Sequence, residues 1–372
     1  MSVDFNDSSV AKDTIDSDKD TNKKIGAGFG IAGLCFITFG IVANIIAIVV
    51  LRQKPMRCLG TKLLVCLAFV DILLLLLNGF RCADDLLVGK VARKTIQQLT
   101  NVTYPLFMTV YMAEIYMTSL ITVQRYVSVS KPLAAKRLMS ERRLVIIVAV
   151  LGAWCVIFNI PQWVVFHPVI YYNTDMNMTW IRHATYVMPN NGFFYKTTFY
   201  EIIYLGYLGF IFRFLIPMAA MFIFNILIVR IVKQHTQFRQ SQQMQNQSDN
   251  SDSRLTITII AITTTSLIAT FLDALDFLMF AFLNWEAKCS LTCNIFFYVS
   301  DFMVIVNCSL NCIFYCVFGA KFRQVCCGLL CPKTKTNKND SSQQTETCSL
   351  RDLHTPFVLR RSNSREKVST PL

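Results

Sequence analysis

Apolar residues gather in seven long runs, at 27–51, 63–82, 104–128, 144–166, 202–230, 255–283 and 291–317, with polar stretches between them. A membrane-crossing helix needs about 20 mostly apolar residues in a row, and every run reaches that length. After the seventh comes "FGAKFRQVCCGLL" over 318–330, where Phe318, Phe322, Val325 and Leu329 recur at helical spacing with Lys321 and Arg323 between them. That pattern predicts a short helix lying in the membrane interface. The expected fold is all-α, a seven-transmembrane-helix bundle with a short amphipathic eighth helix. Its parts are an extracellular N-terminal tail over 1–26, the seven-helix domain over 27–317, the amphipathic helix over 318–331 and a disordered cytoplasmic tail over 332–372.

Composition excludes a soluble globular reading. The 372 residues are 53% hydrophobic and 16% charged, whereas soluble domains carry about 25% charged residues. The 14 cysteines lie mostly inside apolar runs, where a thiol behaves as a small hydrophobe rather than as half of a disulfide framework. The net charge of +13 sits in short loops, which is the pattern of cytoplasmic loops and not of a nucleic-acid stripe. With the N-terminus outside, the inner loops and the interfacial helix hold sixteen lysines and arginines and the outer segments eleven. Sequons at Asn6, Asn101 and Asn177 fall outside in that orientation and are glycosylation candidates, although others at Asn246 and Asn339 fall inside. Residues 1–24 are acidic and lack the apolar core of a cleavable signal, so the first run is expected to direct its own insertion.

The third run ends Gln124-Arg125-Tyr126, followed by Lys131, Pro132, Lys136, Arg137, Arg142 and Arg143. Asn44 lies in "GIVANIIAIVVL", Asp71 in "LVCLAFVDILLL", Trp154 in the fourth run and Pro217 in "FRFLIPMAAMFIFN". Asn311 and Tyr315 lie in "NCSLNCIFYCVFG". Together these resemble the marks of a rhodopsin-class G-protein-coupled receptor. The stretches "ITVQRYVSVSKPL", "FNIPQWVVF", "IFRFLIPMAAMFIFNILIVRIV" and "VSDFMVIVNCSLNCIFYCVFGAKFR" look like the FMRFamide-receptor branch of neuropeptide receptors. That branch similarly replaces the proline after the seventh-helix asparagine, as Cys312 does here.

The resemblance implies an extracellular neuropeptide ligand, of Arg-Phe-amide type, and a cytoplasmic heterotrimeric G protein received at Arg125, Tyr126, Lys131 and Pro132. It implies an activation switch built on Asn44, Asp71, Asn307, Asn311 and Tyr315. A pocket for sodium or a shared proton is implied at Asp71, Glu114, Asn307 and Asn311. Plasma-membrane residence, arrestin, receptor kinases and lipid are the other implied partners. Several departures stand out. The sixth run contains no proline, Gln124 replaces the usual carboxylate, and neither the start of the third run nor residues 167–200 contain a cysteine. The usual disulfide between those two segments therefore has no sulfurs. Cys82 with Cys289 or Cys293, Cys289 with Cys293, and free thiols all stand as readings.

An ionisable group in mid-span is costly and is read as functional first. Asp71 and Glu114 qualify, and two close carboxylates either share a proton or hold a cation between them; a hydrogen-bonded network that only joins helices is the plainer account. Toward the outer ends lie Asp273, Asp276, Asp301, Arg213 and Arg81, with Tyr104, Phe107, Tyr111, Tyr204, Tyr207, Phe277 and Phe280 nearby in the runs. These aspartates suit the guanidinium of a peptide arginine and the rings suit a phenyl group. Equally, Arg213 and one aspartate could neutralise each other. Residues 234–253 read as a disordered glutamine-rich loop. Cys326, Cys327 and Cys331 are palmitoylation candidates, and the serine- and threonine-rich tail offers kinase sites. No metal-ligand cluster, nucleophile elbow or phosphate loop points to an enzyme, and the seventh run has no lysine for a retinal Schiff base. The rivals are a seven-helix protein that binds peptide without coupling and, further off, a channel or transporter.

Overall fold

The computed structural model describes residues 7–86, 90–131, 135, 140–165, 168–173, 178–183, 199–242, 247–283 and 291–330. Seven helices in these segments are long and apolar enough to cross a membrane. They are α1 (Asp7–Leu51), α2 (Leu59–Leu86), α3 (Lys90–Ser130), α4 (Glu141–Val165), α5, α6 (Gln247–Leu283) and α7 (Leu291–Phe318). α5 starts π-helical over Phe199–Leu208 and Phe210–Leu215 and continues as α-helix over Ile216–Gln242. The interfacial helix α8 spans Ala320–Leu330. Lipid offers no hydrogen bonds, so each crossing segment must satisfy its backbone internally. The apolar runs accordingly become unbroken helices.

α3 is the axis of the bundle, touching α2, α4, α5 and α6. Of its most apolar window 67% is buried, against 17% for α4. α4 turns Val145, Ile146, Val150 and Ile157 outward, as a lipid-facing helix should. Two apolar cores stack along the axis. Leu63, Leu64, Leu67, Ile121, Ile259 and Ile262 fill the end that carries Arg125. Leu74, Leu75, Ile115, Phe214, Met221 and Ile305 fill the other. Between them lies a layer of buried polar side chains.

α7 turns into α8 at Gly319, where any Cβ would lie 2.5 Å from the Tyr315 carbonyl oxygen. Arg323 of α8 then donates through Nη1 to the carbonyls of Cys316 (2.8 Å) and Val317 (2.7 Å). That satisfies orphan acceptors at the α7 C-terminus and places a cation on the negative end of its dipole. Phe322 is buried against the Tyr315 ring, with centroids 5.5 Å apart.

Three features differ from the sequence expectations. Residues 168–173 and 178–183 pair as antiparallel strands β1 (Pro168–Asn173) and β2 (Met178–His183). Two six-residue strands are far shorter than a membrane-crossing run of about 20 apolar residues, so the apolar runs carry no mark of this hairpin. The glutamine-rich loop is helical up to Gln242 and again from Gln247, so the disordered reading is corrected over 234–242 and 247–253. Glutamine and arginine are good helix formers, and extending an existing helix carries no nucleation cost. α1 likewise starts at Asp7 rather than at the onset of its apolar run.

Close helix packing gives a paired prediction. A Cβ on Gly40 of α1 would sit 2.9 Å from Ser309 Cβ and 2.8 Å from Leu75 Cδ1, whereas one on Gly79 of α2 meets nothing within 4 Å. Gly40→Ala should lower stability by about 1–2 kcal/mol through overpacking, and Gly79→Ala should be neutral or raise it by up to ~1 kcal/mol. Thermal unfolding of the solubilised protein measures both, and equal shifts would contradict the packing.

Candidate functional site

The polar layer joins four helices. Asn311 Nδ2 on α7 donates to Asp71 Oδ2 on α2 at 2.7 Å. Asn44 Nδ2 on α1 donates to Gly40 O and across to Cys308 O of α7, both at 2.9 Å. Asn307 Nδ2 donates to Glu114 Oε1 of α3 at 3.1 Å, and Thr118 Oγ1 donates to the same oxygen at 3.2 Å. The residues grouped from the sequence thus meet in space, while Tyr315 packs in the core on the Arg125 side. Ser309, which donates to Phe36 O at 3.0 Å, also ties α7 to α1; a lone serine in an apolar run gave no signal. Asp71 Oδ1, Asn44 Oδ1 and Asn311 Oδ1 are buried without a hydrogen-bond partner.

At the α3 end, Arg125 is 8% exposed, which is not a snorkelling arginine. Its Nε donates to Thr256 Oγ1 of α6 at 3.0 Å, and Nη2 donates to the same oxygen. Gln124 instead turns aside, donating through Nε2 to Ser128 Oγ at 3.0 Å. The arginine is therefore held by a hydroxyl on the neighbouring helix. Tyr126 packs on Phe224 of α5, with centroids 5.0 Å apart. Thr263 Oγ1 of α6 donates to Asn225 Oδ1 of α5 at 2.8 Å. Lys131 is exposed, and Pro132 lies outside the described residues.

The opposite end opens into a cavity of about 480 Å³. Its charged lining is Asp273, Asp276, Asp301, Arg81 and Arg213, and its walls include Tyr104, Phe107, Tyr111, Phe277 and Phe297. Arg81 Nη1 pairs with Asp301 Oδ1 at 3.0 Å, with its guanidinium 4.9 Å from the Phe107 ring centroid. Arg213 does not pair with an aspartate. Its Nη2 donates to Asn159 Oδ1 of α4 at 3.3 Å, and its guanidinium stands 5.9 Å from the Phe277 ring centroid. Asp273 and Asp276 take part in no ion pair with another described residue. The cavity thus holds two carboxylates outside any ion pair among the described residues, with Arg213 acting on Asp273 and Arg81 on Asp276 from beyond ion-pair distance.

Two tyrosines expected at this site are elsewhere. Tyr204 is buried between α4 and α5 and donates through its hydroxyl to Phe158 O at 2.6 Å. Tyr207 is 55% exposed on the outer face of the bundle. Asn159, fully buried, escaped notice because an asparagine in a fourth span has no partner visible in sequence. Cys82 and Cys293 are buried; Cys289, Asn6, Asn177 and Cys331 lie outside the described residues, as does the side chain of Asn101. On α8, Cys327 is exposed, while Cys326 packs beside the core and burial pushes its thiol up from the ordinary value.

A family model for the 7 transmembrane receptor (rhodopsin family) matches residues 43–315. The chain belongs to that family. It is a family of receptors, not of enzymes. An FMRFamide receptor of Drosophila melanogaster is 26% identical over 292 residues, which cover 77% of this chain and 50% of that protein. The chain thus spans about half the length of this curated relative.

The Arg81–Asp301 pair generates a prediction. Asp301→Asn leaves a partly buried guanidinium without its carboxylate and should cost about 2 kcal/mol. Arg81→Leu combined with Asp301→Leu should recover most of that loss, because replacing both partners removes the stranded charge. Thermal unfolding reads both, and an unshifted Asp301→Asn would show that the pair contributes nothing.

Proposed function

We propose that this receptor binds an extracellular amidated neuropeptide of Arg-Phe-amide type and signals to a heterotrimeric G protein at the plasma membrane, with its N-terminus outside. The observation that supports this most is the cavity, where Asp273 and Asp276 form no ion pair with another described residue and share the lining with the rings of Tyr104, Phe107 and Phe277. A guanidinium is matched bidentately by a carboxylate, and an aromatic wall of this kind suits a phenyl side chain. The similarity to an FMRFamide receptor points to the same ligand class. Tyr111 shares this lining, and Arg81–Asp301 closes its α2–α7 side.

Coupling would proceed through Arg125, Tyr126, Lys131 and Pro132 once α6 leaves α3. The Arg125–Thr256 bond is broken by that movement, freeing the guanidinium for a G-protein segment. In the polar layer, Asp71 Oδ1 and the amide oxygens of Asn44 and Asn311 are buried oxygen donors. Such a set fits a hard cation; sodium held there would join α1, α2 and α7 in the resting arrangement, with Glu114 as a second carboxylate on α3. Arrestin and receptor kinases would act on the tail, lipid would anchor α8 through Cys327, and glycans would sit at Asn6, Asn101 and Asn177.

Calcium and cAMP responses of cells expressing the chain, challenged with Arg-Phe-amide peptides, test the reading. A saturable response is expected, and Arg125→Ala should abolish it at equal surface expression. Thr256→Ala should raise basal signalling severalfold, because the arginine loses its cross-helix acceptor. Silence toward the whole panel would sink the ligand class. Ligand binding with no G-protein response would favour the non-coupling rival that Gln124 and the proline-free α6 bring into view.

A further inference from the structure

Arg81 has a carboxylate on each of two helices within its field. Its Nη1 lies 3.0 Å from Oδ1 of Asp301 on α7, and the two side chains are 23% and 22% exposed, open to a ligand in the cavity. The guanidinium also stands 4.9 Å from the Phe107 ring centroid and 6.0 Å from that of Phe297. A carboxylate beside two aromatic rings is a seat that suits any guanidinium. Here the receptor's own side chain fills it. Asp276 of α6 lies on the same lining and feels the charges of both Arg81 and Asp301 from beyond ion-pair distance.

The described lining holds three aspartates against two arginines. Arg213 already acts on Asp273, so one guanidinium brought by a ligand would give every carboxylate a cation. Two pairings achieve this. In the first the ligand goes to Asp276 and no receptor group changes partner. In the second the ligand takes Asp301, and Arg81 turns to Asp276. The seat favours the second, because its carboxylate and rings are already in place for a guanidinium. Arg81, on a long flexible stem, then moves to a carboxylate whose field it already feels. One ion pair breaks and two form.

We propose that Arg81 is a relay, filling the Asp301 seat in the empty receptor and passing to Asp276 of α6 when a ligand guanidinium takes that seat. This rests on the cavity being the site of an arginine-bearing peptide. α2 packs on α1, α3 and α7, so a bond from Arg81 to Asp276 spans the cavity and draws the outer end of α6 inward. α6 is tied to α5 along its length by Thr263 and Asn225. Thr256, which holds Arg125, lies about 30 Å along the helix from Asp276. A pull on the outer end tilts that inner end away from α3 and loads the Thr256–Arg125 bond.

The test uses the full chain in lipid nanodiscs with two probes, Phe-Met-Arg-Phe-NH2 and the same peptide with citrulline for arginine, which keeps the shape and loses the charge. Affinity and nucleotide exchange on a heterotrimeric G protein are read together. The unaltered chain should bind the citrulline peptide about tenfold more weakly. Asp276→Asn should weaken binding of the arginine peptide about tenfold, because displaced Arg81 has no carboxylate to receive it, and adding Arg81→Gln should recover that loss. Arg81→Gln alone should bind the peptide at least as tightly as the unaltered chain, while its peptide-driven exchange falls about fivefold. An Asp276→Asn cost that persists in the Arg81→Gln background puts the ligand on Asp276 directly and overturns the relay. Full exchange from Arg81→Gln overturns it too. The citrulline comparison and Asp276→Asn leave the Arg81–Asp301 pair intact and do not depend on an Arg81 variant folding; equal binding of the two peptides, or an Asp276→Asn chain that binds and signals like the unaltered one, overturns the relay alone. Binding of neither peptide overturns the peptide reading and the relay with it.

Discussion

The bond from Asn311 to Asp71, at 2.7 Å in the middle of the bundle, is the contact on which the rest of the structure depends. A carboxylate at that depth is tolerated only with polar partners. Meeting that demand draws α7 onto α2, and Asn44, reaching Cys308 O, draws α1 onto both. Glu114 does the same for α3 through Asn307. Apolar packing between helices gives no preference over lipid tails, so these polar contacts, with close approaches such as Gly40 against Ser309, fix the register.

That layer separates two regions with opposite requirements. Toward α8, the buried arginine donates to a threonine hydroxyl of α6, a bond weaker than an ion pair and so easier to exchange. Toward the cavity, charge is left over on the walls. An arrangement with a cation bonded across to α6 at one end and carboxylates outside any ion pair among the described residues at the other has two sets of contacts a partner could complete. A change of α6 position alters both, since Asp273, Asp276 and Thr256 ride on one helix. The absence of proline from α6 does not leave it featureless. Thr265 bonds back to the carbonyl of Ala261, a pattern that bends helices.

Much of this was legible from residue order. Seven apolar runs dictated seven helices because lipid leaves the backbone no alternative, and Asp71, Glu114, Asn307 and Asn311 announced themselves as polar groups in apolar surroundings. What stayed hidden depended on where neighbouring helices face. Thr256 is one of several threonines along α6, and only its position opposite Arg125 distinguishes it. Asn159 and Arg213 lie 54 residues apart, with nothing local linking them. Tyr204 and Tyr207 lie away from the cavity lining, on a segment whose π-helical winding leaves no mark in residue order. Helical continuation through Gln242 went unseen because a polar composition was taken for disorder.

The central claim, that a peptide in the cavity changes how Arg125 is presented, is tested most directly by reconstituting the purified receptor in nanodiscs with a heterotrimeric G protein. Nucleotide exchange on the G protein would be followed as Arg-Phe-amide peptide is added. The account predicts a saturable acceleration that the same peptide fails to produce in Asp273→Asn, Asp276→Asn receptor. Peptide binding to the receptor with exchange unchanged would contradict it.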